Sequence, residues 1–114
     1  YDQIMHVKEK YENPLIYITE NGVATEDILS EKNTIPDIER ISFYKRYLTS
    51  LNKAIKDGAN VQGFYAWSFT DNFEWHRGYD MRFGMVYIDY KNQKRIPKDS
   101  FFFYKNIIEN SEIS

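Results

Sequence analysis

Two short stretches of the chain hold the residues able to do chemistry. The first is Thr19-Glu20-Asn21-Gly22, a carboxylate followed by an amide and a turn-forming glycine. It closes a β-rich apolar run at residues 15–19. A carboxylate at the end of a buried strand costs desolvation free energy unless it is hydrogen-bonded. Glu20 is therefore either a working ionised group or a solvated one beside the turn at Gly22. The second stretch is Trp67-Ser68-Phe69-Thr70-Asp71-Asn72-Phe73-Glu74-Trp75. Aromatic faces of this kind cover the C–H side of a sugar ring, while carboxylates and amides take its hydroxyls. The same residues could make a packed aromatic loop, because Trp serves cores and sites alike. By residue type alone, Glu20 and Glu74 could form a catalytic pair of carboxylates.

Other chemistries find little support. His6 and His76 have no Cys or His partner at ligand spacing, which argues against a metal site. The chain has no cysteine, so thiolate chemistry and a disulfide framework are out. Neither a Gly-x-Gly-x-x-Gly nor a Gly-Lys-Ser/Thr phosphate loop is present, and no cofactor is implied. Arg77 and Arg82 read as structural partners for nearby acids.

The elements that must position these stretches follow from pattern. Residues 1–11 read as the end of a helix, stopped at Asn13-Pro14 because proline cannot continue the ladder and disfavours helix in the residue before it. Residues 15–19 and 61–67 are apolar on both faces, as strands of a covered parallel sheet are. Between them Ile38, Ile41, Tyr44, Leu48, Leu51 and Ile55 fall three and four apart, one stripe of a helix over about 37–57. Gly58 suits its C-terminal cap. Residues 85–90 form a short extra strand, 91–93 a turn, and Pro97 opens a last helix. Strand, helix and strand in that order make a βαβ unit. Two parallel strands are a poor sheet alone, so the pattern predicts a piece of a larger α/β protein.

Composition agrees. The 114 residues carry 15 Lys and Arg against 17 Asp and Glu, a net charge of −2. The charges are interspersed, with no basic stripe for a phosphate backbone, so nucleic acid is not an expected partner. No apolar run approaches the roughly 20 residues of a membrane-spanning helix. Two Trp, ten Tyr and eight Phe are too many aromatics for a disordered tail, and half of them lie between Phe64 and Tyr90. The first residues resemble no targeting peptide, and the absence of an initial Met suggests sequence upstream. The compartment is unknown on this reading.

Taken in order, several motifs resemble glycoside hydrolase family 1. They are Ile18-Thr19-Glu20-Asn21-Gly22, Ala66-Trp67-Ser68, Asp71-Asn72-Phe73-Glu74-Trp75, Gly78-Tyr79, Arg82-Phe83-Gly84, Val86-Tyr87-Ile88-Asp89-Tyr90 and Arg95-Ile96-Pro97-Lys98-Asp99-Ser100. The resemblance covers nearly the whole chain, and its style is closest to plant β-glucosidases. It implies an α/β fold, the last two βα units of a (β/α)₈ TIM barrel not closed on its own. Residues 1–114 would be the C-terminal part of a single catalytic domain. The implied reaction is retaining hydrolysis of β-glucosides, with the substrate and the rest of the barrel as partners.

Carried over residue by residue, the resemblance makes Glu20 the catalytic nucleophile and Trp67 the platform under the sugar. Glu74 accepts from the 4- and 6-hydroxyls, Trp75 donates its indole N–H, and Phe83 lines the same pocket. Asp71 and Asn72 support the loop, and His76 is an aglycone contact. Glu74 is thus a sugar-binding group and not the partner acid, and its charge disfavours 6-phospho-glycosides. The general acid belongs to a Thr-Asn-Glu-Pro type segment that this sequence lacks, so the isolated chain is expected to be inactive and poorly folded. The rival expectations are a non-catalytic sugar-binding module and a truncated structural remnant.

Overall fold

Helix α1 (Asp2–Lys10) carries Asp2 in its first turn and Lys8 and Lys10 in its last, which suits the helix dipole at both ends. It ends where Glu12 and Asn13 take positive φ, 59° and 55°, ahead of Pro14. The chain then enters β1 (Ile16–Asn21), crosses through α2 (Ile38–Lys56) and returns in β2 (Val61–Ala66). A single 3₁₀ turn (Trp75–Arg77) follows, then β3 (Val86–Asp89), β4 (Lys94–Pro97) and α3 (Asp99–Asn110). These elements come from a computed structural model, which describes residues 1–113.

Strands β1 and β2 pair in parallel, Ile16 opposite Val61, Tyr17 opposite Gly63 and Asn21 opposite Ala66. From Ile18↔Phe64 to Asn21↔Ala66, β1 advances three residues and β2 two. One extra residue therefore sits at Thr19-Glu20. Such a bulge breaks the alternation of side chains at Glu20, just before the last pair of the ladder.

One face of this sheet is covered. Ile18 and Phe64 pack with Tyr44, Leu48 and Leu51 of α2 and with Met85. On the other face the rings of Tyr17 and Tyr65 lie over Gly63, where an added Cβ would stand 2.5 Å from Tyr17. Both rings remain about half exposed, at 51% and 58%. The two-sided apolar pattern of the strands is thus matched by cover on one face only among the described residues. The radius of gyration is 15.9 Å, against about 13 Å for a compact chain of this length. The extents of 50 × 33 × 18 Å describe a slab rather than a ball. Among the described residues the barrel is not closed.

Two sequence expectations need correction. The buried stripe of α2 is Arg40, Tyr44, Leu48, Leu51 and Ala54, whereas Ile38 and Ile55 face outward, at 70% and 44% exposure. An arginine takes the core position because it has carboxylates to pair with there. Pro97 does not open a helix. It ends β4, which pairs antiparallel with β3 (Val86 opposite Pro97, Asp89 opposite Lys94), and α3 starts at Asp99. Lys94-Arg95-Ile96-Pro97 buries Ile96 alone, so it carries no alternating pattern to be read as a strand. Gly58 does cap α2, with φ +90°.

Candidate functional site

The C-terminal ends of β1 and β2 bring Glu20 and Trp67 to one edge of the sheet. The Trp67 amide donates to the Asn21 carbonyl at 2.8 Å. Gly22 passes so close to Trp67 that a Cβ there would lie 1.7 Å from the Trp67 carbonyl oxygen. No side chain fits, which gives the glycine after Glu20-Asn21 a steric reason. From behind, the buried Tyr44 hydroxyl donates to the same carbonyl at 3.2 Å, and burial pushes its own pKa up to about 12. The Trp67–Ser68 peptide is cis. The Glu20 side chain is exposed and has no hydrogen bond or ion pair among the described residues.

The loop after β2 carries the other candidates. Its root is zipped to the strand that follows: Ser68 N–H donates to the Phe83 carbonyl, Met85 N–H to Ser68, Val86 N–H to Phe69 and Asp71 N–H to Val86, all at 2.8–3.1 Å. Phe83 thus lies beside the residue after Trp67. Glu74 and Trp75 sit further out, on a turn closed by the Glu74 amide on the Gly78 carbonyl at 2.7 Å. Trp75 is 85% exposed, and His76 and Arg77 are exposed beside it. Asn72 supports the loop as expected, its Nδ2 donating to Ser68 Oγ at 3.1 Å.

Glu20 lines a hollow of about 630 Å³ together with Asn21, Ile18, Phe64, Arg46 and Tyr47. That hollow lies toward α1 and α2, and Trp67, Glu74, Trp75 and Phe83 take no part in its lining. The chain therefore brings the backbones around Glu20, Trp67 and Phe83 to one edge, while the hollow that Glu20 lines is not shared with the other candidates.

Beneath this edge lies a closed ionic cluster that the sequence reading missed. Arg40 bonds Asp27 (Nη1 to Oδ1 at 3.1 Å, Nη2 to Oδ2 at 2.9 Å), Asp37, Thr25 Oγ1 and the Arg82 carbonyl. The Lys98 ammonium joins Asp27 to Asp71, and Arg82 also pairs with Asp71. Three carboxylates thus meet three cations, and apart from Arg82, 13% exposed, their side chains are at most 1% exposed. The expected role of Arg82 holds. Arg77 makes no ion pair among the described residues. Only the alternation of acids and bases around these positions could have hinted at the cluster, and a surface of mixed charge looks the same.

Burial alone would raise the Asp27 carboxyl, but hydrogen bonds from Arg40 and Lys98 outweigh it and hold the pKa below the ordinary 3.8. Burial, then the Arg40 charge, pull Lys98 below its ordinary 10.5, despite Asp71 and Asp27. For Asp27 the unfolded chain binds its proton near pH 3.8 and the folded chain only at lower pH. The stability from this pairing is complete above that window and is lost as pH falls through the folded pKa. Denaturant titrations of the folded protein between pH 5 and about pH 2 should show the loss. Asp27→Asn should flatten that acid slope, and an unchanged slope would count against the pairing.

Among the described residues no group of three or more His, Cys, Asp and Glu is placed to hold a metal. No helix there is long and apolar enough to cross a membrane.

The model of the family described as Glycosyl hydrolase family 1 matches residues 1–113. β-Glucosidase 26 of Oryza sativa subsp. japonica is 48% identical over 96% of this chain and 21% of its own length. A 6-phospho-β-galactosidase of Leptotrichia buccalis is 46% identical over 99% of this chain and 24% of its own. The solved β-glucosidase from Thermotoga maritima in complex with deoxynojirimycin superposes on the whole chain at TM-score 0.97 and 45% identity, over 26% of that structure. The chain thus spans about a quarter of the length of the proteins it matches. It folds as the partial α/β piece expected, two βα units of a (β/α)₈ barrel. Bacterial and plant proteins match it about equally, so the similarity does not single out a plant protein.

Proposed function

This chain belongs to glycosyl hydrolase family 1, and from that premise we propose that it supplies the nucleophile-bearing, C-terminal quarter of a retaining β-glucosidase barrel. The observation that carries the reading is the placement of Glu20. It sits on a bulge near the C-terminal end of β1, where the next residue's carbonyl accepts the Trp67 amide at 2.8 Å. In barrels of this class the sites sit at that end of the strands.

Retention needs two carboxyl groups about 5–5.5 Å apart. The Glu20 carboxylate attacks the anomeric carbon as the glycosidic C–O bond breaks. The departing oxygen takes a proton from an acid on another part of the barrel. The same group, now a carboxylate, then removes a proton from water. That water attacks the anomeric carbon and frees Glu20. Trp67 stacks under the ring, Glu74 accepts from the 4- and 6-hydroxyls, Trp75 donates its indole N–H, Phe83 closes the pocket and exposed His76 faces the aglycone side. The Glu74 carboxylate repels a phosphate on the 6-position, which favours the unphosphorylated glucoside.

Two experiments test this reading. The isolated 114-residue chain should show no hydrolysis of an aryl β-glucoside, because it lacks the acid and the hollow that Glu20 lines is not shared with Trp67 or Glu74. A chimaera in which this chain replaces the matching quarter of the Thermotoga maritima protein should hydrolyse the glucoside readily. It should turn over the 6-phosphoglucoside poorly. Activity in the isolated chain, or a folded but inactive chimaera, would contradict the proposal.

A further inference from the structure

We propose that Asp71 is a positioning residue that sets the sugar-contact loop in register with the loop that follows Glu20, through the ammonium of Lys98. The inference rests on the reading of Glu74 as a sugar ligand given above.

Asp71 is a loop residue, yet its side chain is fully buried and both of its oxygens are used twice. Oδ1 accepts from the Gly84 amide at 3.0 Å and from Lys98 Nζ at 2.7 Å. Oδ2 accepts from Arg82 Nη1 at 2.5 Å and from the Ile88 amide at 3.3 Å. These donors come from three directions: the residues flanking Phe83, strand β3, and the residue just before α3. The space is fully committed as well. A Cβ on Gly84 would stand 2.2 Å from the Asp71 nitrogen and 2.7 Å from its Oδ1.

Packing alone does not require a carboxylate here. Its removal would also strand the buried Lys98 ammonium and the Gly84 and Ile88 amides, the cost of taking away one side of a buried pair. What the carboxylate adds is direction. Residues 68–71 are zipped onto 83–86, and the stretch between them, with Glu74 and Trp75, hangs from that root. The outer turn is closed locally by bonds among residues 74–80, its ring contacts run from Phe73 to Tyr79 and from Tyr79 to Tyr90 on the residue after β3, and Trp75 is 85% exposed. Where Glu74 stands thus depends on how the root is fixed. Lys98 extends the fixation, because its other partner is Asp27, on the segment that leads from Glu20 into α2. A single ammonium therefore ties the segment after the nucleophile to the loop of the sugar ligand.

The test compares two substrates in the active chimaera, an aryl β-glucoside and its 6-deoxy analogue. The ratio of their kcat/KM values reads the 6-hydroxyl contact. Glu74→Gln should lower that ratio about tenfold, the loss of a charge-assisted hydrogen bond. Asp71→Asn should lower it by a similar factor, although the substituted side chain is buried and remote from the sugar. Arg82→Lys keeps the charge and loses the planar fork, and it should lower the ratio about threefold. It decides the matter if Asp71→Asn does not fold. The inference is overturned if the Asp71 and Arg82 variants slow both substrates by one factor, as a purely structural role would, or leave the ratio unchanged. If Glu74→Gln itself leaves the ratio unchanged, the reading of Glu74 fails first, and this inference falls with it.

Discussion

Glu20→Gln in the chimaera should cut hydrolysis of an aryl β-glucoside by at least about 10⁴-fold, the range seen when an enzyme loses its nucleophile. The amide matches the carboxylate in shape but cannot form the glycosyl ester, so the loss should lie in kcat, with KM little changed. Within this chain the Glu20 side chain is exposed and holds no partner among the described residues, so the loss of kcat should far exceed any loss of unfolding free energy. The pair of readouts separates chemistry from folding. Glu74→Gln offers the contrast, since a sugar ligand that is lost costs about one to two orders of magnitude. Equal losses at the two positions would mean that the two carboxylates share the chemistry, and the assignment of roles would be wrong.

The second large effect is on stability. Arg40→Met should destabilise the chimaera by about 3–5 kcal/mol, the cost of removing one side of a buried ion pair. The Arg40 side chain is 0% exposed and serves Asp27 and Asp37, which are equally enclosed. Its Nη2 also closes on the Arg82 carbonyl at 2.7 Å. Without the guanidinium, Asp37 keeps only the Ser100 amide and hydroxyl, and Asp27 keeps Lys98 and Thr25. Arg40→Lys should recover only part of the loss, because one ammonium cannot reach the several acceptors that the planar fork reaches. Denaturant titration at pH 7 measures both. A loss below about 1 kcal/mol for Arg40→Met would place the cluster among surface-like pairs.

How much of this was legible in the sequence depends on whether a residue's role is local. Helix α2 was readable because Tyr44, Leu48 and Leu51 repeat at helical spacing. The ends of its stripe were not, because a buried Arg40 carries the pattern of a solvated face and Ile38 that of a core. Strands β1 and β2 were readable as apolar runs, but their bare face at Tyr17 and Tyr65 showed only in three dimensions. Strand β4 was hidden, since Lys94-Arg95-Ile96-Pro97 has a single buried residue and a proline that equally suits a helix start. At the site, the residue types from Trp67 to Trp75 suggested a sugar, and the steric demand behind Gly22 explains one letter of the motif. The bulge at Thr19-Glu20 left no trace in composition, because register is set by the partner strand. Nor did the Asp27–Lys98–Asp71 chain, in which Lys98 lies 71 and 27 residues from its two partners along the sequence. Only the fold brings them together.

The most direct test of the central claim is to trap the intermediate. The chimaera is incubated with an activated 2-deoxy-2-fluoro-β-glucoside, whose fluorine slows breakdown of the glycosyl ester. The protein is then digested and the modified residue identified by mass spectrometry. The account predicts one fluoroglucosyl group per chain, on the peptide that contains Glu20 and esterified to that carboxylate. A stable adduct on Glu74 or on any other residue would contradict it. So would rapid turnover of the parent glucoside with Glu20 left unmodified.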